Sequence, residues 1–214
     1  MTHEIIFWDV DTQKDFIDPD GKLYVYGAEN IKENLAKLTQ FARIQMIRIL
    51  GSVDYHTMED SEITTDEADF ENTFPPHCLV NEPGQEKIIE TRSDMALWID
   101  PKKYSGKEID EIIASKGPIF FRKIKFDVFS NPNVNTILEK VNPKKIVIYG
   151  VAADFCVRLT IDEFLDMNKY ELYLVIDAIE GLDELHTSKL IEEWISKGVK
   201  TLTTESVLQG VMFS

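Results

Sequence analysis

The chain of 214 residues carries 38 acidic against 23 basic side chains, a formal net charge of −15. That balance opposes binding to nucleic-acid phosphates or anionic membrane and favours solubility. A hydrophobic fraction of 43% with three tryptophans describes a globular protein, of a length that suits one domain over residues 1–214.

Two cysteines, Cys78 and Cys156, are too few for a disulfide framework, so a reducing compartment is expected. The apolar run near the N-terminus is short for a signal peptide, and no stretch approaches the ~20 apolar residues of a membrane span. The expectation is a soluble cytoplasmic protein.

In chain order, "EIIFWDV" (4–10), "MIRILGSV" (46–53), "PIFFRK" (118–123), "KIVIYG" (145–150), "LYLVIDA" (172–178) and "VKTLTT" (199–204) read as strands. They are continuous apolar runs, the pattern of strands buried on both faces. Between the first two, "AENIKENLAKLTQFARI" sets Ile31, Leu35, Leu38 and Phe41 or Ala42 on one helical stripe. "NPNVNTILEKV", "DFCVRLTIDEFLDMN" and "LDELHTSKLIEEWISKG" are helical in the same way, the last ending in glycine. Such alternation predicts an α/β fold: six strands in a mostly parallel sheet with helices on both faces. Residues 54–117 break the rhythm, being acidic, rich in Pro and Gly and weakly periodic; a loop region of that length is usually functional.

In open α/β sheets ligands bind beyond the carboxyl ends of the strands. The residues there are Asp9 and Asp11, Asp54 and His56, Arg122 and Lys123, then Asp154 and Cys156. Each has an ordinary explanation: an Asp after a strand caps a turn, and a cysteine such as Cys156 is often a small buried hydrophobe. A thiol at a helix N-terminus also feels a positive end that favours its thiolate. Together these residues bring a nucleophile, carboxylates, an ammonium and an imidazole to one rim.

"DTQKDF" (11–16), "SVDYH" (52–56), "FPPHC" (74–78), "FRKIKFDVF" (121–129) and "GVAADFCV" (150–157) occur in the order of the isochorismatase-like cysteine hydrolases. The chain resembles that superfamily over nearly its whole length, most weakly at residues 85–117, and within it the nicotinamidase group most closely. The resemblance implies a six-stranded parallel sheet between helices and a catalytic triad of Asp11, Lys123 and Cys156. Asp11 would take the thiol proton, Lys123 would hold the charges in place, and Cys156 would attack the carbonyl. Asp11 begins the motif; Asp9, one strand period earlier and expected on the same side, is assigned as a supporting or a buried hydrogen-bonded carboxylate. Lys123 has the family spacing to Phe129, and Lys125 does not. The resemblance also implies an oxyanion hole from the N–H groups of Ala152 and Cys156, with a cis bond between Val151 and Ala152. Phe16 and Phe74 fall where the family sandwiches a flat ring, and are equally readable as core.

The metal ligands implied are Asp54, His56 and His77, with Glu62 where a further histidine is often found. Glu59, Asp60 and Glu67 compete with Glu62 for that role. Two carboxylates and two imidazoles suit a divalent transition metal, Zn²⁺ first, then Mn²⁺ or Fe²⁺. Cys78 reads as structural, and His3 and His186 as bystanders. The acidic segment "TMEDSEITTDEADFENT" (57–73) departs from what a nicotinamidase entrance leads one to expect; it would pass a neutral pyridine and disfavour anions. The function implied is a metal-assisted cysteine amidohydrolase releasing ammonia from a small amide, nicotinamide foremost. A hydrolase of a carbamoyl, ureido or other small amide and an idle binding protein on the same fold are the alternatives. The partner expected is the small amide, with no nucleic acid and no membrane; a homo-oligomer stays open.

Overall fold

In a computed structural model describing residues 4–213, seven strands form one wholly parallel sheet. They are β1 (Ile5–Val10), β2 (Arg48–Asp54), β3 (Leu97–Ile99), β4 (Ile119–Lys123), β5 (Lys145–Val151), β6 (Glu171–Glu180) and β7 (Lys200–Leu202), in spatial order β3-β4-β2-β1-β5-β6-β7. The helices are α1 (Lys14–Ile17), α2 (Lys32–Gln45), α3 (Gly106–Ala114), α4 (Val134–Val141), α5 (Cys156–Met167), α6 (Glu184–Ser196) and α7 (Thr204–Leu208). No helix among the described residues is long and apolar enough to cross a membrane.

The continuous apolar runs have the cause expected of them. Every residue of β1 and β2 is buried, and successive side chains enter different cores. Ile6, Trp8 and Val10 pack with Phe121 and Ile148 beneath α3, α4, α5 and α6. Phe7 packs with Phe120, Val147 and Tyr149 beneath α2 and α7. The stripe of α2 resolves in favour of Ala42, which is fully buried beside Leu35 and Leu38, with Ile31 buried just before the helix. Phe41 is only partly buried and stacks on Phe7 at 6.4 Å.

Two expectations need correction. The sheet has seven strands, not six: β3 is three residues long and pairs only with β4, at Leu97 with Ile119 through Ile99 with Phe121. Tertiary pairing at an edge, rather than a local apolar run, makes it a strand. Residues 54–117 likewise hold more than loop, because α3 lies within them. Its start is a complete capping box, with Ser105 accepting from the Glu108 N–H and Glu108 reaching back to the Ser105 N–H. That Ser-x-x-Glu signal is present in the sequence and went unused.

The central strands approach so closely that two glycines have no substitute. A Cβ on Gly51 of β2 would lie 2.0 Å from the Asp9 carbonyl oxygen, and one on Gly150 of β5 2.0 Å from that of Val10. Gly150 also has φ of 122°. Both strands flank β1, so the packing that binds the sheet's centre excludes any side chain there. Gly51→Ala is therefore expected to cost about 1–3 kcal/mol or more through forced separation of β1 and β2; a lowered midpoint in urea denaturation with an unchanged slope is the check.

Candidate active site

Strand order reverses direction around β1, with β2 on one side and β5 on the other. A crevice at the carboxyl ends is expected at such a switch point. Asp11 follows β1, Asp54 closes β2, Lys123 closes β4, and Cys156 opens α5 just after β5. Four separate strands thus deliver one group each to the same place.

At its centre is the Lys123 ammonium, fully buried. Its Nζ lies 3.1 Å from Asp11 Oδ2 and 3.5 Å from Cys156 Sγ, and it donates to Asp54 Oδ1. Burial works against the ammonium, yet Asp11 and Asp54 hold its pKa well above the ordinary lysine value. Burial raises the pKa of Asp11, with the Asp54 charge adding to it while Lys123 opposes, which makes Asp11 a stronger base than a free aspartate. Burial and both carboxylates also push the Cys156 thiol up, against the pull of Lys123. The thiol and the Asp11 carboxyl are therefore displaced in the same direction, and the ammonium between them stabilises whichever is ionised.

Asp54 has a second set of neighbours. Its Oδ2 lies 3.7 Å from His56 Nε2 and 3.5 Å from His77 Nε2. Asp54, His56 and His77 each offer a ligand atom, all within 4.8 Å of one another and all buried. Despite burial, Lys123 and the two imidazoles hold the Asp54 carboxyl well below its ordinary range, so it is an anion ready to ligate. His77 Nδ1 sits 2.8 Å from the Pro75 carbonyl oxygen, which can only accept, so Nδ1 takes the proton of the neutral ring and Nε2, facing Asp54 Oδ2, is the nitrogen left to bind a metal. His56 Nδ1 is buried without a hydrogen-bond partner and faces Asp60 Oδ2 at 3.5 Å, while its Nε2 faces Asp54. Asp11 and Asp54 together carry one more negative charge than Lys123 neutralises. The donor chemistry and this charge imbalance both fit a divalent metal. Glu62 is not one of the three mutually close ligand residues, but burial raises its carboxyl's pKa and the charges of Lys123, Asp54 and His56 act on it. It is half-buried, and its carboxylate accepts from the Phe126 N–H at 3.4 Å. Glu59 and Glu67 are exposed.

Comparison with known proteins places the fold. The sequence profile of the isochorismatase domain matches residues 6–206. The chain belongs to the isochorismatase family. A curated protein of Arabidopsis thaliana named as a probable inactive nicotinamidase is 23% identical, over 91% of this chain and 89% of that one. The pyrazinamidase of Pyrococcus horikoshii, solved with zinc, superposes with a TM-score of 0.71 at 23% identity, covering 94% of this chain and 99% of the other. The L. infantum protein PnC1, solved with nicotinate, gives 0.74 at 18% identity and 96% coverage of both chains. At these identities the structural likenesses establish the shared isochorismatase fold.

The other family motifs shape the walls. Gln13, overlooked in the sequence although it stands inside "DTQKDF", ties β1 to β2: it accepts from the Asp54 N–H at 2.6 Å and donates to the Asp54 carbonyl at 2.8 Å. Asp15 accepts from the Cys78 N–H at 2.6 Å, fixing the loop that carries His77. Phe16 and Phe74 both flank the His77 ring, at 5.5 and 6.2 Å between centroids. Phe126 and Phe155 join Phe74 at 4.9 and 5.9 Å, completing an aromatic wall. Phe126 lies inside "FRKIKFDVF", so periodic aromatics around Lys123 were the available signal. The Val151–Ala152 bond is cis, and Ala152 and Cys156 bracket the turn into α5.

The remaining rim residues lie elsewhere. Asp9 does not face the Asp11 side: it pairs with Lys87 and Thr12, because Asp11 at φ 46° breaks the strand alternation. Arg122 pairs with Asp100 at 2.7 Å and covers the Tyr55 ring, and Asp154 accepts from the Leu182 N–H. Lys125 is exposed; the His186 N–H serves the Asp183 cap of α6; His3 lies outside the described residues. Cys78 is wholly buried, its thiol pushed well up by burial and the surrounding carboxylates, and among the described residues no cation bonds to its sulfur. Iodoacetamide should accordingly alkylate Cys156 ahead of Cys78 in the folded protein, read by peptide mass mapping; labelling of Cys78 first would contradict this electrostatic picture.

Proposed function

We propose that the chain is a metal-assisted cysteine amidohydrolase that releases ammonia from a small, flat, neutral amide, with nicotinamide the foremost candidate. The observation carrying this reading is the buried contact of Lys123 with both Asp11 and Cys156, 3.1 and 3.5 Å away, next to the Asp54, His56 and His77 group. The nicotinamidase and pyrazinamidase names among the structural relatives support the substrate class.

The chain's residues account for each proton. Asp11 accepts the thiol proton as Cys156 Sγ bonds to the amide carbon, and Lys123 stabilises the transferred charge. The oxyanion so formed is matched to the N–H groups of Ala152 and Cys156; one such donor is typically worth about 10²–10³ in rate. Collapse breaks the C–N bond, Asp11 returns its proton to the leaving nitrogen, and ammonia departs. Asp11 then takes a proton from water as its oxygen attacks the thioester, and returns it to the sulfur as the acid is released. Asp54, His56 and His77 would hold the divalent metal. When bound, that metal supplies an anchor for a ring nitrogen and polarisation of water. Phe16, Phe74, Phe126 and Phe155 exclude water around the ring. The acidic segment 57–73 disfavours anionic substrates by charge.

One observation favours a second reading: the Arabidopsis relative is named as inactive. The idle-protein reading leaves the presence of all three of Asp11, Lys123 and Cys156 in mutual contact without a purpose. An ammonia-release assay over nicotinamide, pyrazinamide, ureido and carbamoyl compounds separates these readings, and silence on the whole panel would refute the hydrolase. Cys156→Ala should abolish turnover with an unchanged circular-dichroism spectrum, and Asp11→Asn should cost more in rate than Asp9→Asn.

Protein purified without chelator should contain about one transition metal per chain, lost in His56→Ala or His77→Ala. Glu62→Ala should keep its metal, since the Glu62 carboxylate stands outside the three-residue group; loss of metal there would make Glu62 a ligand.

A further inference from the structure

We propose that Lys87 is a positioning residue for Asp11, acting from beneath the site through Asp9 and Thr12; this rests on Asp11 being the proton acceptor. Lys87 is a second lysine with a fully buried ammonium, on the opposite face of the sheet from Lys123. Its Nζ lies 3.0 Å from Asp9 Oδ2, donates to Thr12 Oγ1 at 2.7 Å, and sits 4.3 Å from the Phe120 ring centroid. Thr12 in turn donates to Asp9 Oδ1 at 2.8 Å, and its hydroxyl lies 2.7 Å from that of Thr91. These groups are all buried and make no part of the proposed chemistry.

Their target is the backbone of the residue between Asp9 and Thr12's neighbours. Asp11 has φ of 46°, a region that non-glycine residues adopt only when the surroundings over-determine it. The surroundings here are the Lys87 segment. Gln13 and Lys87 form an antiparallel bridge, the Ile88 N–H donates to the Thr12 carbonyl at 3.1 Å, and the Lys14 N–H to that of Glu86 at 2.9 Å. On the other side, the Asp11 N–H donates to the Ser52 carbonyl at 3.2 Å. The buried ion pair therefore pins the strand on one side of Asp11 and Thr12 on the other. Stability alone gives little reason for such a pair, since well-packed apolar residues often serve as well or better than a buried ion pair. Fixing the direction of one catalytic carboxylate is a use that apolar residues could not match.

The test uses the full chain as wild type, as Asp9→Asn/Lys87→Met, which removes both charges together, and as Thr12→Val, which removes only the hydroxyl link. Melting temperature, kcat and KM for ammonia release, and the rate of Cys156 alkylation are measured on each. Both variants should fold, with KM held, kcat lowered about 10–100-fold and alkylation slowed, as expected when a reacting group is misplaced by a fraction of an ångström to an ångström. Folded variants with wild-type kcat and alkylation, whatever their melting temperature, would overturn the proposal and leave the hydrolase reading standing. A wild-type protein with neither ammonia release nor Cys156 alkylation would overturn both.

Discussion

The Lys123 ammonium has no access to water, and everything at the carboxyl ends of the strands follows from that. A buried cation must find its negative charge inside the protein, with hydrogen bonds for its remaining protons. Asp11 and Asp54 provide the charge and the Cys156 sulfur provides a third acceptor. Those partners come from β1, β2 and the start of α5, so one charge ties together four strand ends. The sheet order makes this cheap, because β2 and β4 are direct neighbours and Asp54 pairs in register with Lys123.

Asp54 then links two kinds of chemistry. One of its oxygens serves the lysine and the other faces two imidazoles. A shift of β2 relative to β4 would disturb the Lys123 contacts and the Asp/His/His group at once. Gln13 guards against such a shift by bonding both backbone groups of Asp54, and Asp15 does the same for the loop behind His77. The motif "DTQKDF" thus places one carboxylate in the chemistry and spends two further side chains on holding other strands to it. Gly84 belongs to the same device, since a Cβ there would lie 2.1 Å from the Asp15 carboxylate.

The aromatic wall and the acidic segment meet at Phe74 and Glu62. Phe74 contacts His77 on one side and Phe126 and Phe155 on the other, and so spans the distance between the imidazoles and the residue preceding the cysteine. Glu62 connects the segment to that wall twice, accepting from the Phe74 N–H through its backbone and from the Phe126 N–H through its side chain. The surface beyond is acidic and exposed.

What the sequence determined by itself was local. Apolar runs became strands because burial on both faces requires them, and β1, β2, β4 and β5 stand where the runs stood. The α2 stripe and the order of five motifs were equally legible, and so were Asp11, Lys123, Cys156, Asp54 and His56 as residues at strand ends; His77 was visible only through the resemblance of "FPPHC" to a family motif. Tertiary structure decided whatever depends on partners distant in the chain. β3 is a strand only because β4 lies beside it. Asp9 and Asp11, two residues apart, serve opposite faces because a left-handed backbone at Asp11 interrupts a period that the sequence cannot show being interrupted. Glu62 has a carboxylate in the right stretch of chain, and only the fold brings it within the electrostatic reach of Asp54, His56 and Lys123. Lys87 drew no notice in the sequence, and only the packing of residues 85–88 against 12–14 makes it a buried cation. Spacing along a chain fixes which residues share a strand or a helix face; which charges neutralise one another is set by the fold that brings the strand ends together.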